Sequence, residues 1–121
     1  MNWTIVFIVV VVLAVYLALK RSGQISSKDA RARLKNGAML IDVRTVGEFA
    51  SGHLPNAINL PLDEIESSLP KRVKDKNQAI LLYCQSGMRS GAAKSKLNGM
   101  GYANAFNLGS YARTAQIVNG K

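Results

Sequence analysis

Cysteine is almost absent from this sequence, because Cys84 is the only one among 121 residues. A single cysteine excludes an intramolecular disulfide framework and, by itself, a metal site built from a cysteine cluster. It also leaves the chain without a resolving thiol, so any sulfur atom that Cys84 carries must leave to another molecule. We therefore predict neither a metal nor a cofactor, and we expect the chemistry of the chain to centre on this thiol.

Acidic residues are also scarce: seven Asp and Glu stand against 16 Lys and Arg, which gives a formal charge of +9. The basic residues do not form one surface interleaved with aromatic side chains, because they group between residues 20 and 35 and again between 71 and 76. We interpret both groups as solvated faces, with the first group also close to anionic lipid. We therefore predict no nucleic acid partner.

Charge is missing altogether from residues 1–19, and the segment from Ile5 to Leu13 is apolar without interruption. A helix of this length spans about 28 Å, close to the hydrocarbon thickness of a bilayer. A buried strand is the competing interpretation of the valine run, but strands rarely reach this length. We predict a transmembrane anchor over residues 1–21 and a folded domain over residues 22–121.

A cleaved signal peptide is the alternative to a retained anchor. No basic residue precedes the apolar run, Lys20 and Arg21 follow it, and no small-x-small cleavage site stands out after it. The positive-inside rule then places the N-terminus outside and the domain in the cytoplasm. The prediction is a single-pass protein of the cell membrane, in contact with the lipid bilayer through residues 1–21.

Short apolar runs alternate with helical patterns in the remaining chain, which predicts an α/β fold with an open parallel sheet. We expect strands at 39–43, 57–60, 79–83 and 105–108, separated by helices at 27–35, 46–51, 63–69 and 90–100. Pro70 is expected to break the third of these helices, and a tail is expected from Ser110. The carboxyl ends of the strands then place Asp42 and Arg44 at the same edge as Cys84.

Cys84 follows a buried strand and precedes a helix, at the edge where open α/β sheets bind ligands. The backbone amides from Gln85 to Arg89 are expected to converge on the sulfur, and the positive end of the helix adds to them. A free thiol is only about 3% ionised at pH 7, so such donors are needed to stabilise a reactive thiolate. The alternative interpretation is that the lone cysteine is only a small hydrophobic residue buried in the core.

Three segments together resemble one family. The loop from Cys84 to Ser90 resembles the Cys-x-x-Gly-x-Arg-Ser active-site loop of rhodanese-type sulfurtransferases. The upstream signature of that family is matched by Asp42-Val43-Arg44, Glu48-Phe49, Gly52-His53-Leu54 and the segment from Ala57 to Pro61. A weaker match is Leu108-Gly109-Ser110-Tyr111. The resemblance covers about residues 25–115.

The resemblance implies the rhodanese-like fold, with helices on both faces of the sheet, and a ping-pong reaction through a persulfide on Cys84. A small molecule such as thiosulfate would donate the sulfur, and cyanide, a thiol or a protein would accept it. The substrate-binding loop would comprise Gln85, Ser86, Gly87, Met88 and Arg89. Structural support would come from an ion pair between Asp42 and Arg44, and from Glu48 and His53 as buried, hydrogen-bonded groups.

Several questions stay open at the level of the sequence. Arg89 either attracts an anionic donor or braces the loop. Gln85 stands where the family often has a basic residue, which leaves a small thiol persulfide as a rival to thiosulfate. A non-catalytic module for persulfide relay or partner docking is one alternative function. A phosphatase or arsenate reductase is another, although the four residues between Cys84 and Arg89 are one fewer than that class has.

Overall fold

The structure is a computed structural model that describes the backbone of residues 2–22 and 24–120, and the side chains of all of these except 18–22. Met1, Gly23 and Lys121 lie outside it.

Helices and strands alternate along the domain, as predicted. In chain order the elements are α1 (Trp3–Ser22), α2 (Ser27–Lys35), β1 (Met39–Asp42), α3 (Val46–Ala50), β2 (Ile58–Asn59), a 3-10 turn (Leu62–Glu64), α4 (Ile65–Arg72), β3 (Ile80–Tyr83), α5 (Met88–Gly99), β4 (Ala105–Gly109) and α6 (Tyr111–Val118).

The four strands form one parallel sheet in the order β2-β1-β3-β4. β1 pairs with β3 from Met39 opposite Ile80 to Asp42 opposite Tyr83. Because both strands end at the same edge of the sheet, the segment after Asp42 lies beside the segment after Tyr83, which begins with Cys84. The predicted parallel sheet is confirmed.

Alternate residues of the strands point to opposite faces of the sheet, and each face carries its own helices. On one face α4 and α5 pack against a cluster that includes Ile41, Val43, Ile80, Leu82 and Cys84. On the other face α2 and α6 pack against a cluster that includes Leu40, Leu81, Tyr83 and Leu108. The sheet is therefore covered on both sides, as predicted, and Cys84 belongs to one of the two cores.

The first helix of the domain forms where its sequence signals predict it. The Ser26 hydroxyl oxygen accepts a hydrogen bond from the Asp29 amide, which caps the N-terminus of α2. Ala30 is buried against the sheet, and Gly37 follows the helix with a φ of 96°, which favours glycine. α3 likewise begins with a capping box, in which Thr45 and Glu48 each bond the other's backbone amide.

The prediction that Pro70 ends its helix was wrong, since α4 continues to Arg72. Proline lacks an amide hydrogen, so it removes the bond to the carbonyl group four residues before it. Pro70 stands two residues before the end of α4, and the amide of Val73 still donates to the Leu69 carbonyl at 2.8 Å. The fully buried Ile65 and Leu69 hold this helix on the sheet, and their packing outweighs the single lost hydrogen bond.

The prediction of a tail from Ser110 was also wrong, because α6 follows this residue directly. The Ser110 hydroxyl oxygen accepts a hydrogen bond from the Arg113 amide and caps the helix. Thr114 and Ile117 are buried on its inner side. A cap followed by inward residues three apart is a helix signal that the sequence contains.

The N-terminal segment is the helix α1, and the apolar side chains that the structure describes along it are mostly exposed, for example Phe7 and Val12. Among the described residues, no helix is both long enough and apolar enough to cross a membrane. The transmembrane anchor over residues 1–21 stays a prediction. Beyond α1, Gln24 forms a parallel bridge with Asn107 of β4, and the Ile25 amide donates to the Asn107 carbonyl at 3.0 Å.

Candidate active site

Cys84 lies directly after β3, and the short loop beyond it leads into α5. Gly87 occupies the turn of this loop with a φ of 97°, a conformation that strains other residues. A Cβ atom on Gly87 would also lie 3.2 Å from the backbone of Gly109, so the loop packs directly on the end of β4. Only glycine fits this position without a shift of one segment or the other.

Three hydrogen-bond donors of the described residues lie 3.0–3.4 Å from the sulfur of Cys84. The Gly87 amide lies 3.0 Å from Sγ, and the amide and hydroxyl of Ser90 each lie 3.4 Å from it. Burial by itself would raise the pKa of the Cys84 thiol, but hydrogen bonds from the Ser90 hydroxyl and from the amides of Ser90, Gly87 and Ser86 outweigh it, so the pKa is lowered. The site therefore favours a thiolate.

The donors only partly match the segment that the sequence predicts. The amides of Ser86 and Gly87 lie inside the predicted range of 85–89, whereas Ser90 lies one residue beyond it and supplies two of the three closest contacts. Ser90 is the third residue of α5 and lies in its first turn, where backbone amides have no partner within the helix. The predicted ring of loop amides is thus shared between the loop and the helix end.

Cys84 is fully buried, and the loop covers it. Gln85, Ser86 and Met88 are exposed above it, and Met88 keeps 82% of its surface in solvent. Clefts of about 320 Å³ and about 250 Å³ flank the loop, the first beside Met88 and Lys94 and the second beside Gln85 and Tyr111. Both sides of the loop are thus open to a small molecule, whereas Sγ itself is covered by the protein.

Arg89 forms a two-bond ion pair with Glu48 of α3. Its Nη1 atom lies 2.7 Å from Glu48 Oε1 and its Nη2 atom lies 3.0 Å from Oε2. The hydrogen bond from Arg89, followed by that from the Thr45 amide, lowers the pKa of Glu48 to about 2. Of the two roles left open for Arg89, this geometry favours bracing the loop, because the cation already has a carboxylate partner.

The ion pair that the sequence predicts between Asp42 and Arg44 is present, and it is buried. Asp42 accepts three hydrogen bonds from the guanidinium group at 2.7–3.0 Å and one from the Arg44 amide at 2.8 Å. Hydrogen bonding to Asp42 is the main cause that raises the pKa of Arg44. The same guanidinium group donates to the Gly52 carbonyl at 2.7 Å and to Gln85 Oε1 at 3.4 Å, so the pair connects the segment after α3 to the catalytic loop.

The expectation that His53 and Glu48 are buried was wrong. His53 is exposed; its ring stacks on that of Phe49 with 3.7 Å between centroids, and its Nδ1 atom lies 2.9 Å from the Phe49 carbonyl oxygen. The Glu48 side chain keeps 35% of its surface exposed. Glu48 lies in the short helix α3 and His53 follows it, and no residue of α3 is buried. Only the polar contacts of the two residues, and not their burial, therefore match the prediction.

Two further residues were not identified from the sequence as parts of the site. Asn107 of β4 is buried, and its side chain contacts Ser90, Gly87 and Gly109. Tyr111 of α6 places its ring 4.9 Å from the guanidinium carbon of Arg44. The signal for Asn107 is a polar residue inside the apolar strand Ala105-Phe106-Asn107-Leu108. The position of Tyr111 depends on α6, where the sequence predicts a tail.

Comparisons with known proteins match the part of the chain that contains this site. The family model described as "Rhodanese-like domain" matches residues 26–114. The thiosulfate sulfurtransferase PspE of Escherichia coli is 41% identical over 69 residues, which cover 57% of this chain and 66% of that protein. The thiosulfate:glutathione sulfurtransferase of Homo sapiens is 32% identical, over 69% of this chain and 84% of that protein.

A solved structure described as "rhodanese with anions from E. coli" superposes with a TM-score of 0.61 at 36% identity. The match covers 64% of this chain and 91% of that one.

Proposed function

Because the chain belongs to the rhodanese-like domain family, we propose that it transfers a sulfane sulfur from a donor to a thiophilic acceptor through a persulfide on Cys84. The observation that carries this proposal is the sulfur at the end of β3, with three hydrogen-bond donors 3.0–3.4 Å away. These donors stabilise the thiolate that begins the reaction, and the lowered pKa of Cys84 has the same cause.

The first half-reaction forms the persulfide. The Cys84 thiolate attacks the sulfane sulfur of the donor, and a bond forms between Sγ and that sulfur. The bond between the sulfane sulfur and the rest of the donor breaks, and its electron pair leaves with the donor, as sulfite when the donor is thiosulfate. This step needs no general base because Sγ is already ionised.

The second half-reaction regenerates the thiolate. An acceptor such as cyanide or a thiolate attacks the outer sulfur, and the electron pair of the sulfur–sulfur bond returns to Sγ. With a single cysteine in the chain, no second thiol of the same molecule intercepts the persulfide. The outer sulfur therefore passes to another molecule, either small or a protein.

Charge around the loop bears on the choice of donor. Arg89 is paired with Glu48 and Arg44 with Asp42, while Gln85 is neutral. A dianion such as thiosulfate thus meets two arginines whose charge is already balanced at short range. We propose that thiosulfate is a weakly bound donor for this chain and that a small thiol persulfide is bound with less dependence on these cations.

The direct test is the mass of the protein after exposure to a donor. The purified full chain, treated with thiosulfate or with glutathione persulfide, is expected to gain about 32 Da, the mass of one sulfur atom, and to lose it again when cyanide is added. The variant Cys84→Ser should show neither change and no turnover. An unchanged mass with both donors would contradict the proposal, and a stable gain without turnover would indicate a relay module instead of an enzyme.

We also propose that residues 1–21 attach this domain to the cell membrane, with the domain on the cytoplasmic side. Residues 1–19 carry no charge, and the described apolar side chains of α1 are mostly exposed to solvent. An apolar surface of this size is stabilised by contact with lipid. Gln24, close behind this helix, packs against Gly109 of the site, so attachment would bring the catalytic loop close to the bilayer surface.

Fractionation of cells that express the full chain tests the attachment. The protein is expected in the membrane pellet after alkaline carbonate washing, whereas a chain shortened by residues 2–21 should appear in the supernatant. Protease added to the outside of intact cells should leave the domain intact. A full chain that carbonate releases completely would contradict membrane attachment and would leave the sulfurtransferase proposal unaffected.

A further inference from the structure

The hydroxyl group of Ser90 faces two acceptors but carries one proton. Its Oγ atom lies 2.6 Å from Asn107 Oδ1 and 3.4 Å from Cys84 Sγ. A serine hydroxyl is a single O–H donor, so it cannot donate to both atoms at once. At these distances the bond to Asn107 is the shorter of the two, and the sulfur competes for the same hydrogen.

The orientation of the Asn107 amide is determined by its other partners. Oδ1 accepts a hydrogen bond from the Gly109 amide at 2.9 Å, and Nδ2 donates to the Gly87 carbonyl at 3.1 Å. A flipped amide would bring two donors together at Gly109 and two acceptors together at Gly87. Oδ1 therefore faces Ser90 as an acceptor, and it does so in a buried site, because Ser90 and Asn107 are 0% and 5% exposed.

We propose that Asn107 is a positioning residue that competes with Cys84 for the hydroxyl proton of Ser90 and so decides how strongly the thiolate is stabilised. While Sγ is uncharged, as a thiol or as the inner sulfur of a persulfide, the hydroxyl donates to Asn107. When Sγ becomes a thiolate, the hydroxyl turns to the sulfur, because a bond to an ionised acceptor is about twice as strong as a neutral one. When the hydroxyl rotates towards the sulfur, it loses its hydrogen bond to Asn107.

This inference deepens the proposed function and rests on it for its role in the reaction. In each half-reaction the charge on Sγ disappears or returns, and the Ser90 hydroxyl would follow it between its two acceptors. Arg89 of α5 is the charged group that interacts with the Cys84 sulfur. The charged and titratable groups that interact in turn with Arg89 are Glu48 of α3 and Asp42 of β1, and those beside Asp42 are Arg44 and Tyr83. All of them remain in place in the variants used below.

A double-mutant cycle on the pKa of Cys84 tests the competition. Since Cys84 is the only cysteine, the rate of alkylation by iodoacetamide as a function of pH measures this thiol alone. The proteins are the wild type, Asn107→Leu, Ser90→Ala and the double variant. Asn107→Leu also removes the hydrogen bond to Gly87 and so loosens the loop. This effect on the pKa is the same with Ser90 and with alanine at position 90, so it cancels in the cycle.

We expect Asn107→Leu to shift the pKa of Cys84 downward by about half a pH unit more when Ser90 is present than when it is alanine, which is the size of one net hydrogen bond. Asn104→Leu, at the residue before β4 and away from the sulfur, should leave the pKa of Cys84 unchanged. An equal shift in both backgrounds, or an upward shift that requires Ser90, would overturn the proposal.

A second measurement needs no variant and decides the matter if Asn107→Leu does not fold. In the ¹³C-labelled wild type, the Asn107 side-chain carbonyl resonance is expected to move with the same pH midpoint as the Cys84 alkylation rate, because its hydrogen bond from Ser90 is lost when the thiolate forms. A resonance that stays constant through that midpoint would overturn the proposal. Both measurements are made without sulfur transfer, so they remain decisive for a chain that proves inactive with every donor.

Discussion

Two arginine–carboxylate pairs support the catalytic loop, and they lie at very different depths. The side chains of Asp42 and Arg44 are 0% and 5% exposed, whereas those of Glu48 and Arg89 are 35% and 36% exposed. The buried pair satisfies its polar atoms through several partners, including Gly52 and the catalytic loop. The pair of Glu48 and Arg89, called the rim pair below, is partly exposed to solvent. The two pairs therefore contain the same chemical groups, but we expect them to contribute differently to stability.

The difference follows from desolvation. A buried charge loses its water, and removal of its partner leaves a cost that nothing else compensates. An exposed pair exchanges its partner for solvent at little cost. We therefore interpret the buried pair as part of the architecture, and the rim pair as a weaker brace of the loop whose charges also set the electric field there.

Breaking the buried pair should have the largest effect. Asp42→Asn is expected to lower the free energy of unfolding by about 3–5 kcal/mol, because the Arg44 guanidinium group stays buried without a counter-charge. Urea titration followed by circular dichroism measures it. Asp42→Asn combined with Arg44→Met should recover part of this loss. A loss below about 1 kcal/mol in the single variant would show that the buried pair contributes no more to stability than an exposed pair does.

A neutral contact beside the buried pair should have an intermediate effect. The phenol oxygen of Tyr83 accepts a hydrogen bond from the buried Leu54 amide at 3.3 Å, and burial is the main cause that raises the pKa of this phenol. Tyr83→Phe leaves that amide unpaired and should cost about 1–3 kcal/mol of unfolding free energy. Tyr111→Phe is the matched control, because the Tyr111 ring contacts the Tyr83 ring edge-on. It should lower the free energy of unfolding by less than Tyr83→Phe does.

Breaking the rim pair should change substrate binding more than folding. In Glu48→Gln the Arg89 cation is released from its carboxylate partner, while glutamine keeps the capping position of α3. The KM for thiosulfate is expected to fall roughly threefold to tenfold with little change in kcat. Glu66→Gln, which removes the exposed partner of Lys96 away from the loop, should leave KM unchanged. A higher KM for Glu48→Gln would indicate that Arg89 must be held by Glu48 to bind the donor.

The smallest effect is a pH-dependent contribution to stability. The pKa of Glu48 is about 2 in the folded protein, below its ordinary value of 4.5. A lowered folded-state pKa stabilises the protein above the unfolded-state value, and this contribution disappears as the pH falls from about 4.5 to about 2. The difference in melting temperature between wild type and Glu48→Gln should thus be present at pH 7 and vanish near pH 2. A difference that is constant over this range would show that the ion pair does not contribute.

Much of the fold was predictable because hydrophobic periodicity and caps are local. The four strands, the helix α2 and the helix after Cys84 all appear within two residues of the predicted bounds. Asn56 takes a φ of 67°, in the left-handed region that asparagine tolerates. The end of α4 was misjudged because packing of Leu69 outweighs the effect of Pro70.

The site was predictable to the same extent and for the same reason. The thiol, its loop and the pair of Asp42 and Arg44 come from consecutive motifs at the ends of adjacent strands. The contact of Arg89 with Glu48 joins residues 41 positions apart, and that of Ser90 with Asn107 joins residues 17 apart. No local pattern specifies such partners, since they depend on how α3 and β4 lie beside the loop.

The sequence alone determined that one thiol follows a buried strand and precedes a helix, because strand and helix patterns depend on residues that are neighbours in the sequence. Only the tertiary structure decided which groups face that thiol, which arginine is buried, and where the Ser90 hydroxyl finds its two acceptors. Distances between segments and loss of solvent control these properties, and both arise when the sheet brings the ends of its strands together.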